Sequence, residues 1–160
     1  MKIFEIVEKE LENLGFSILG KDFNKPWGGF FVIDETQAQQ FANKYFDGIN
    51  VGSLEISGKL SPKILVVKPN SRLSWQYHHR RAEIWQVISG SVGIVRSEND
   101  IEGDLNIHST GSQIKLNRCE RHRLVGLNEW GIVAEIWLHT ELDNPSDEDD
   151  IIRVQDDFGR

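Results

Sequence analysis

Cysteine is nearly missing from this chain: Cys119 stands alone among 160 residues. A single thiol cannot close an internal disulfide, which excludes a disulfide-stapled scaffold and makes a reducing, cytoplasmic setting the expectation. No apolar run approaches the roughly 20 residues of a membrane-spanning helix. The acidic, amphipathic N-terminus is also unlike a secretory signal. Positive charge is in deficit, with 18 Lys and Arg against 25 Asp and Glu and a net charge of -7. Phosphate backbones would be repelled, so general affinity for nucleic acid is not expected. There is no internal repeat and no low-complexity linker. What is left is the profile of one domain, long enough to enclose a single sizeable core.

In chain order, Ile3, Ile6, Val7, Leu11 and Leu14 share one helical face, and Gly15 follows as a stop. This first helix is expected to brace the main core. Lys25-Pro26-Trp27-Gly28 reads as a turn entering a strand that runs to Ile33. Asp34 then caps a second helix, with Gln37 completing a weak capping box. Its buried stripe is Ala38, Phe41, Ala42 and Tyr45, and Asp47-Gly48 ends it. From about residue 50 the texture changes to short strands at 53–56, 63–68, 72–78, 82–88, 91–96, 113–116, 122–125 and 132–139. Pro69-Asn70, Ser89-Gly90, Glu98-Asn99-Asp100 and Thr110-Gly111 mark turns between them. So many short strands in about ninety residues predict an all-β jelly-roll barrel. The expected organisation is a single domain: a helical N-terminal extension over 1–50, a barrel over 51–140, and a tail over 141–160. Ile151, Ile152 and Val154 give that tail a reason to pack back on the barrel.

The strand around Trp75 carries polar residues where a half-buried strand would be apolar. Gln76 and His78 are two apart and so share a face. Glu83 lies past a polar bend (His79, Arg80, Arg81) at the head of the next strand. If that strand pairs back, an amide oxygen, an imidazole and a carboxylate converge, a donor set suited to a divalent metal. Of the remaining histidines, His122 is best placed as a fourth ligand, because it opens a later strand after another polar bend. His108 and His139 read as structural or exposed.

The stretch from Gln76 to Trp85, closing in Ser89-Gly90, resembles the first motif of the cupin superfamily. More narrowly, it is similar to the C-terminal isomerase domain of type II phosphomannose isomerases, often fused to a mannose-1-phosphate guanylyltransferase. Gly111 through Leu124, with His122-Arg123-Leu124, resembles that family's second motif. Asp147-Glu148-Asp149-Asp150-Ile151-Ile152-Arg153, with Asp157-Phe158-Gly159-Arg160, looks like its C-terminal signature, and Lys25-Pro26-Trp27-Gly28 its opening motif. The resemblance implies a cupin (double-stranded β-helix) barrel with Gln76, His78, Glu83 and His122 as ligands of a divalent metal. Zinc comes first, with cobalt, manganese, nickel or iron compatible with the same donors. The implied reaction is aldose–ketose isomerisation of a sugar phosphate, mannose 6-phosphate to fructose 6-phosphate, through an ene-diolate. Arg81 and Arg153 match arginines of the family's motifs and are implied to stabilise the oxyanion or hold the phosphate. Lys63, opening the strand before the first motif, is a third candidate. Dimers are common among such barrels, so a homodimer is a further implication. No glycine-rich nucleotide-binding stretch precedes Lys25, so nucleotide-sugar synthesis is not expected of these residues.

Several questions stay open at this level. The general base is His79, Glu135 or a lysine of lowered pKa. Trp27, Trp75, Trp85, Trp130 and Trp137 suit a core at least as well as a sugar platform. Cys119 lies in a charged loop. The acidic run 147–150 lacks EF-hand spacing and reads as capping or solvating the tail. This chain also departs from the family pattern at Arg80, Ile84, Asn117 and Gly126-Leu127-Asn128, which is expected to alter the rim of the site. Two other functions compete: a non-catalytic, metal-containing sugar- or metabolite-binding cupin, and an iron oxygenase. The second is disfavoured by a first motif with glutamine and one ligating histidine.

Overall fold

The runs Lys63–Val67 (β3) and Gly131–His139 (β10) are almost continuously apolar because the sheet that holds them is covered on both faces. The computed structural model describes residues 2–56 and 58–160. Before β3 come α1 (Lys2–Asn13), β1 (Ile18–Lys25), β2 (Gly28–Ile33) and α2 (Ala38–Tyr45). After it come β4 (Trp75–Tyr77), β5 (Arg81–Ser89), β6 (Ser91–Ser97), β7 (Asn106–Ser109), β8 (Gln113–Leu116), β9 (Arg121–Gly126), then β10 and β11 (Ile152–Gln155). Two antiparallel sheets result, ordered β1-β2-β3-β10-β5-β8 and β11-β4-β9-β6-β7. Among the described residues no helix is long and apolar enough to cross a membrane.

The six-stranded sheet separates two cores. On its outer face Ile64, Val66, Ile84, Ile132, Ala134 and Ile136 meet Phe4, Val7 and Leu11 of α1 and Phe41 and Ala42 of α2. On its inner face Leu65, Val67, Trp85, Val87 and Val133 meet Val92, Ile94 and Leu124 of the second sheet. Phe41 is fully enclosed and stacks edge-on to Phe16 and Tyr45. Phe41→Ala is therefore expected to lower unfolding free energy by about 3–5 kcal/mol, read by chemical denaturation.

The inner rows explain where a site can form. Residues two apart share a face, so β3 presents Val67, Leu65 and Lys63 inward, and β10 presents Val133, Glu135 and Trp137. β5 presents Val87, Trp85, Glu83 and Arg81. One end of the barrel is plugged with valine and leucine, while the other changes to charged and aromatic side chains. Register places Lys63 opposite Glu135, Glu135 opposite Trp85, and Trp137 opposite Glu83.

Several expectations change. The barrel does not begin at residue 51, because β1 and β2 extend the six-stranded sheet beyond β3. Gly28 makes this possible: at φ 138, a Cβ there would meet the Val66 carbonyl oxygen at 2.0 Å. The helices pack on the outer face and do not reach the polar end. In α1 the buried stripe is Phe4, Val7 and Leu11, and Ile6 is exposed. Gln37 makes no capping box: its amide donates to the Gly15 carbonyl and accepts from Ser17 N–H, tying the two helical segments together. The strand expected at 53–56 is instead a 3-10 turn over Val51–Ser53, since Asn50 accepts from Gly52 N–H and closes a local turn.

The tail does return to the barrel, through β11 on β4 rather than by burying Ile152 and Val154, which stay exposed. The preceding segment docks on His139, whose Nδ1 accepts from Ser146 N–H at 2.9 Å. That bond needs a neutral ring, and burial pushes His139 down to about 4 from 6.5. Its folded pKa is depressed, so its contribution is present above about pH 6.5 and is lost as pH falls toward 4. The expected loss is on the order of 2 kcal/mol. Thermal unfolding from pH 7 to 4 should show a shallower decline in His139→Gln than in the parent.

Candidate metal centre and its cavity

Three acceptors meet at the polar end. His78 follows β4, Glu83 stands in β5 and His122 in β9, all at 2% exposure or less. One ligand atom from each falls within 4.8 Å of the others. His78 Nε2 lies 3.0 Å from Glu83 Oε1 and 3.3 Å from His122 Nε2, and His122 Nε2 lies 3.9 Å from Glu83 Oε2.

The other ring nitrogens decide what those atoms can do. His78 Nδ1 donates to the Asp150 carbonyl at 2.7 Å, and His122 Nδ1 donates to the Glu120 carbonyl at 3.0 Å. Carbonyl partners hold the proton on Nδ1 and leave each Nε2 an acceptor, that of His78 facing Arg81 Nη2 at 3.3 Å. Two lone pairs and a carboxylate therefore point at one another, and Glu83 Oε2 is buried with no hydrogen-bond partner among the described residues. Arg81 offsets part of the repulsion in such a convergence, and a cation held between the three acceptors would remove the rest. Backbone-held imidazoles are also how ligating histidines are usually oriented. The residues fit a divalent metal.

Electrostatics agree. Burial acts to raise Glu83, but the Arg81 guanidinium beside its Oε1 outweighs it and holds the carboxyl well below its usual range. Burial pushes His122 down to about 4, keeping the imidazole neutral and able to ligate. Glu135 goes the other way: burial, then the nearby Glu83 carboxylate, lifts it well above the usual carboxylate range. It accepts from Trp85 Nε1 at 3.0 Å. Two neighbouring carboxyl groups are thus pushed in opposite directions, Glu83 toward the ionised form and Glu135 toward the protonated one.

Gln76 pairs with His122 in the ladder and lines the same cavity, with its side-chain oxygen taking the Ser74 hydroxyl at 2.6 Å. The cavity, about 250 Å³, is also lined by Lys25, Lys63, Arg81, Arg153 and Arg160. Arg81, expected to face substrate, is largely committed inside the protein. It donates to Glu83 Oε1 at 2.9 Å, to Ser146 Oγ at 2.9 Å and to the Asp147 carbonyl at 3.0 Å. Its guanidinium also covers the Trp137 ring at 3.6 Å. Lys63 is buried over Trp137 and ion-paired to Glu148. Arg153 is exposed at the rim.

Three of the five tryptophans (Trp27, Trp85 and Trp137) line this cavity, and Trp137 Nε1 is a buried donor without a partner among the described residues. Trp75 and Trp130 are structural, donating to the Asp100 carbonyl and packing on Phe4 respectively. His79 N–H and Arg80 N–H both bind the Asp150 carboxylate. Of the candidate bases, Glu135 and the lysines Lys25 and Lys63 line the cavity, and His79 does not. None of the departures expected to alter the rim belongs to the cavity lining. Ile84 packs in the outer core, and Arg80 turns to Asp147. The acidic run is not a solvated cap throughout, because Asp150 is buried. Nothing in sequence spacing marks that residue, whose partners His79 and Arg80 lie about seventy positions away.

Two antiparallel sheets closing around an inward row of imidazole and carboxylate donors define a cupin-type barrel. More narrowly, residues 45–156 match the family described as Mannose-6-phosphate isomerase C-terminal, and the chain belongs to that family. It is 31% identical over 132 residues to the alginate biosynthesis protein AlgA of Pseudomonas putida, covering 81% of this chain and 26% of that protein. A mannose-1-phosphate guanylyltransferase of Salmonella montevideo is 28% identical over 157 residues, 98% of this chain and 27% of the relative. The chain therefore spans about a quarter of these relatives. Among solved structures, the capsular polysaccharide assembling protein CapF of Staphylococcus aureus aligns with a TM-score of 0.55 at 12% identity, over 88% of this chain and 34% of that one. KdgF of Halomonas aligns at 0.52 and 13% identity, over 78% and 90%. At these identities the two structures bear on the fold alone.

Proposed function

We propose that this chain is a metal-dependent aldose–ketose isomerase of a sugar phosphate, with mannose 6-phosphate and fructose 6-phosphate as the first pair to test. The observation that carries the reading is one cavity joining two features. It is lined by Glu83, the carboxylate on which the buried His78 and His122 converge, and by five cations in a protein of net charge -7. His78, Glu83 and His122 would hold the metal, with Gln76 as fourth donor. A bound divalent ion supplies Lewis-acid polarisation of the carbonyl and hydroxyl oxygens of the sugar.

The chain's own residues do the rest. Arg153 at the rim binds the phosphate with a planar fork suited to two oxygens. Lys63 joins it as the phosphate displaces exposed Glu148. Trp27 and Trp137 flank the sugar, and Trp137 Nε1 donates to a hydroxyl. Glu135, whose affinity for a proton burial raises, takes the proton from C2 as the ene-diolate forms and returns it to C1, while the hydroxyl proton on O2 passes to the adjacent O1. Arg81 holds the Glu83 carboxylate in place. The single thiol, Cys119, keeps this reading in a reducing cytoplasm.

Arg81 also supports a second reading. Its guanidinium donates to Glu83 and, at 3.3 Å, faces His78 Nε2, partly neutralising the acceptors by itself. On that reading the barrel binds sugar phosphates without turnover. A coupled assay from mannose 6-phosphate to fructose 6-phosphate separates the two. Activity abolished by chelator and restored by Zn, Co or Mn is the expected result. Inertness toward a panel of hexose and heptose phosphates with metal in place would favour the binding module.

A further inference from the structure

We infer that Asp150 is a positioning residue for the metal centre: through this side chain the C-terminal strap sets the placement and tautomer of His78. The inference rests on the metal-centre reading above and deepens it. Three neighbours in the acidic run (Asp147, Glu148 and Asp149) are exposed, whereas Asp150 is only 4% exposed. Its Oδ1 accepts from His79 N–H at 2.9 Å, and its Oδ2 accepts from Arg80 N–H at 2.9 Å and from the Ser146 hydroxyl at 2.6 Å. Its main-chain carbonyl takes His78 Nδ1–H at 2.7 Å.

Sheet pairing cannot do this work. β4 ends at Tyr77 and β5 begins at Arg81, so His78, His79 and Arg80 lie outside the ladder. Their other main-chain anchors are Cys119 N–H to the His78 carbonyl and Thr140 N–H to the Arg80 carbonyl, each at 3.0 Å, and the exposed Arg118 guanidinium to the His79 carbonyl at 3.4 Å. Asp150 closes the remaining side, gripping the His78 ring and the two N–H groups that follow it. A carboxylate offers both oxygens to those donors. An amide in its place would present one acceptor and one opposed donor. The carbonyl that keeps the His78 proton on Nδ1 would shift with the strap, and the bare Nε2 would no longer be assured. Asp150 touches neither metal nor substrate and acts through His78.

The test uses the full chain with Co²⁺ alone as probe, titrated by calorimetry and followed by visible absorption. Asp150→Asn is expected to bind Co²⁺ about 10- to 100-fold more weakly, the range for loss of a group that orients a ligand. Asp149→Asn, which removes the same charge from the same run, is expected to bind like the parent. In parallel, ¹⁵N NMR of labelled histidine without metal reads the tautomers. His78 is expected to leave the pure Nδ1–H form in Asp150→Asn while His122 keeps it, a pattern that general destabilisation would not produce. Parental affinity together with an unchanged His78 tautomer in a folded Asp150→Asn overturns the inference. If the parent itself binds no Co²⁺, the metal reading fails, and the tautomer comparison alone decides the role of Asp150. If Asp150→Asn does not fold, Ser146→Ala, which removes one of the three donors, is read instead. A loss of a few fold with a shifted His78 tautomer supports the inference, and parental values overturn it.

Discussion

Replacing Glu83 with glutamine is expected to empty the metal centre: bound metal should fall from near one equivalent to near zero, with turnover lost alongside it. Glu83 is the only anion of the converging trio, and its Oε2 is the buried acceptor left without a partner. Glutamine preserves volume but removes the charge and places an N–H where a lone pair is needed. The loss of affinity should exceed the roughly 100-fold that a merely orienting group can cause. Arg81 complicates the stability reading, because the change leaves its buried guanidinium without its carboxylate, and breaking a buried pair can cost about 3–5 kcal/mol. Metal content by elemental analysis should therefore be measured with circular dichroism on the same sample. A folded Glu83→Gln protein that keeps full metal content would sink the ligand assignment.

The second large effect is expected at Arg153. Arg72, Arg96, Arg121, Arg123 and Arg160 are each held by a carboxylate, whereas Arg153 has no ion pair among the described residues. It sits on β11 opposite Gln76, exposed at the cavity rim. An arginine without an internal partner can be removed at little cost to folding, and a phosphate is the anion its fork best fits. A charge-assisted contact is worth about 1.5–3 kcal/mol, so Arg153→Ala should raise KM for a sugar phosphate about 10- to 100-fold. Metal content and melting temperature should stay at parental values, and kcat should change far less than KM. An unchanged KM with a collapsed kcat would move Arg153 from phosphate binding to the chemistry.

Strands that line the barrel are visible in the sequence because burial on one or both faces leaves a periodic or continuous apolar trace. β3, β5, β6, β8, β9 and β10 all carry that trace, and all lie within a residue or two of where it predicts them. β1, β7 and β11 do not. Each sits at a sheet edge, and β7 and β11 are exposed along nearly their whole length. Their pairing is stabilised by backbone ladders that leave no mark on side-chain choice. The same limit explains Gln37, which looks like half of a capping box but bonds to a loop twenty residues earlier.

For the site, two-residue spacing puts Gln76 and His78 on one face, residue type adds Glu83 and His122 as candidates, and the motif resemblance implies the four as one set. The sequence by itself thus determined an antiparallel barrel with polar residues in its inner row, and nominated candidate donors there. Only the tertiary structure decided which groups remain available to a ligand. It buried Arg81 against Glu83, left Arg153 at the rim, pushed the Glu83 and Glu135 carboxyls in opposite directions, and brought Asp150 beneath His78. Each of these depends on contacts between segments up to about seventy residues apart. Local pattern records the face on which a side chain lies but not the partner that meets it there.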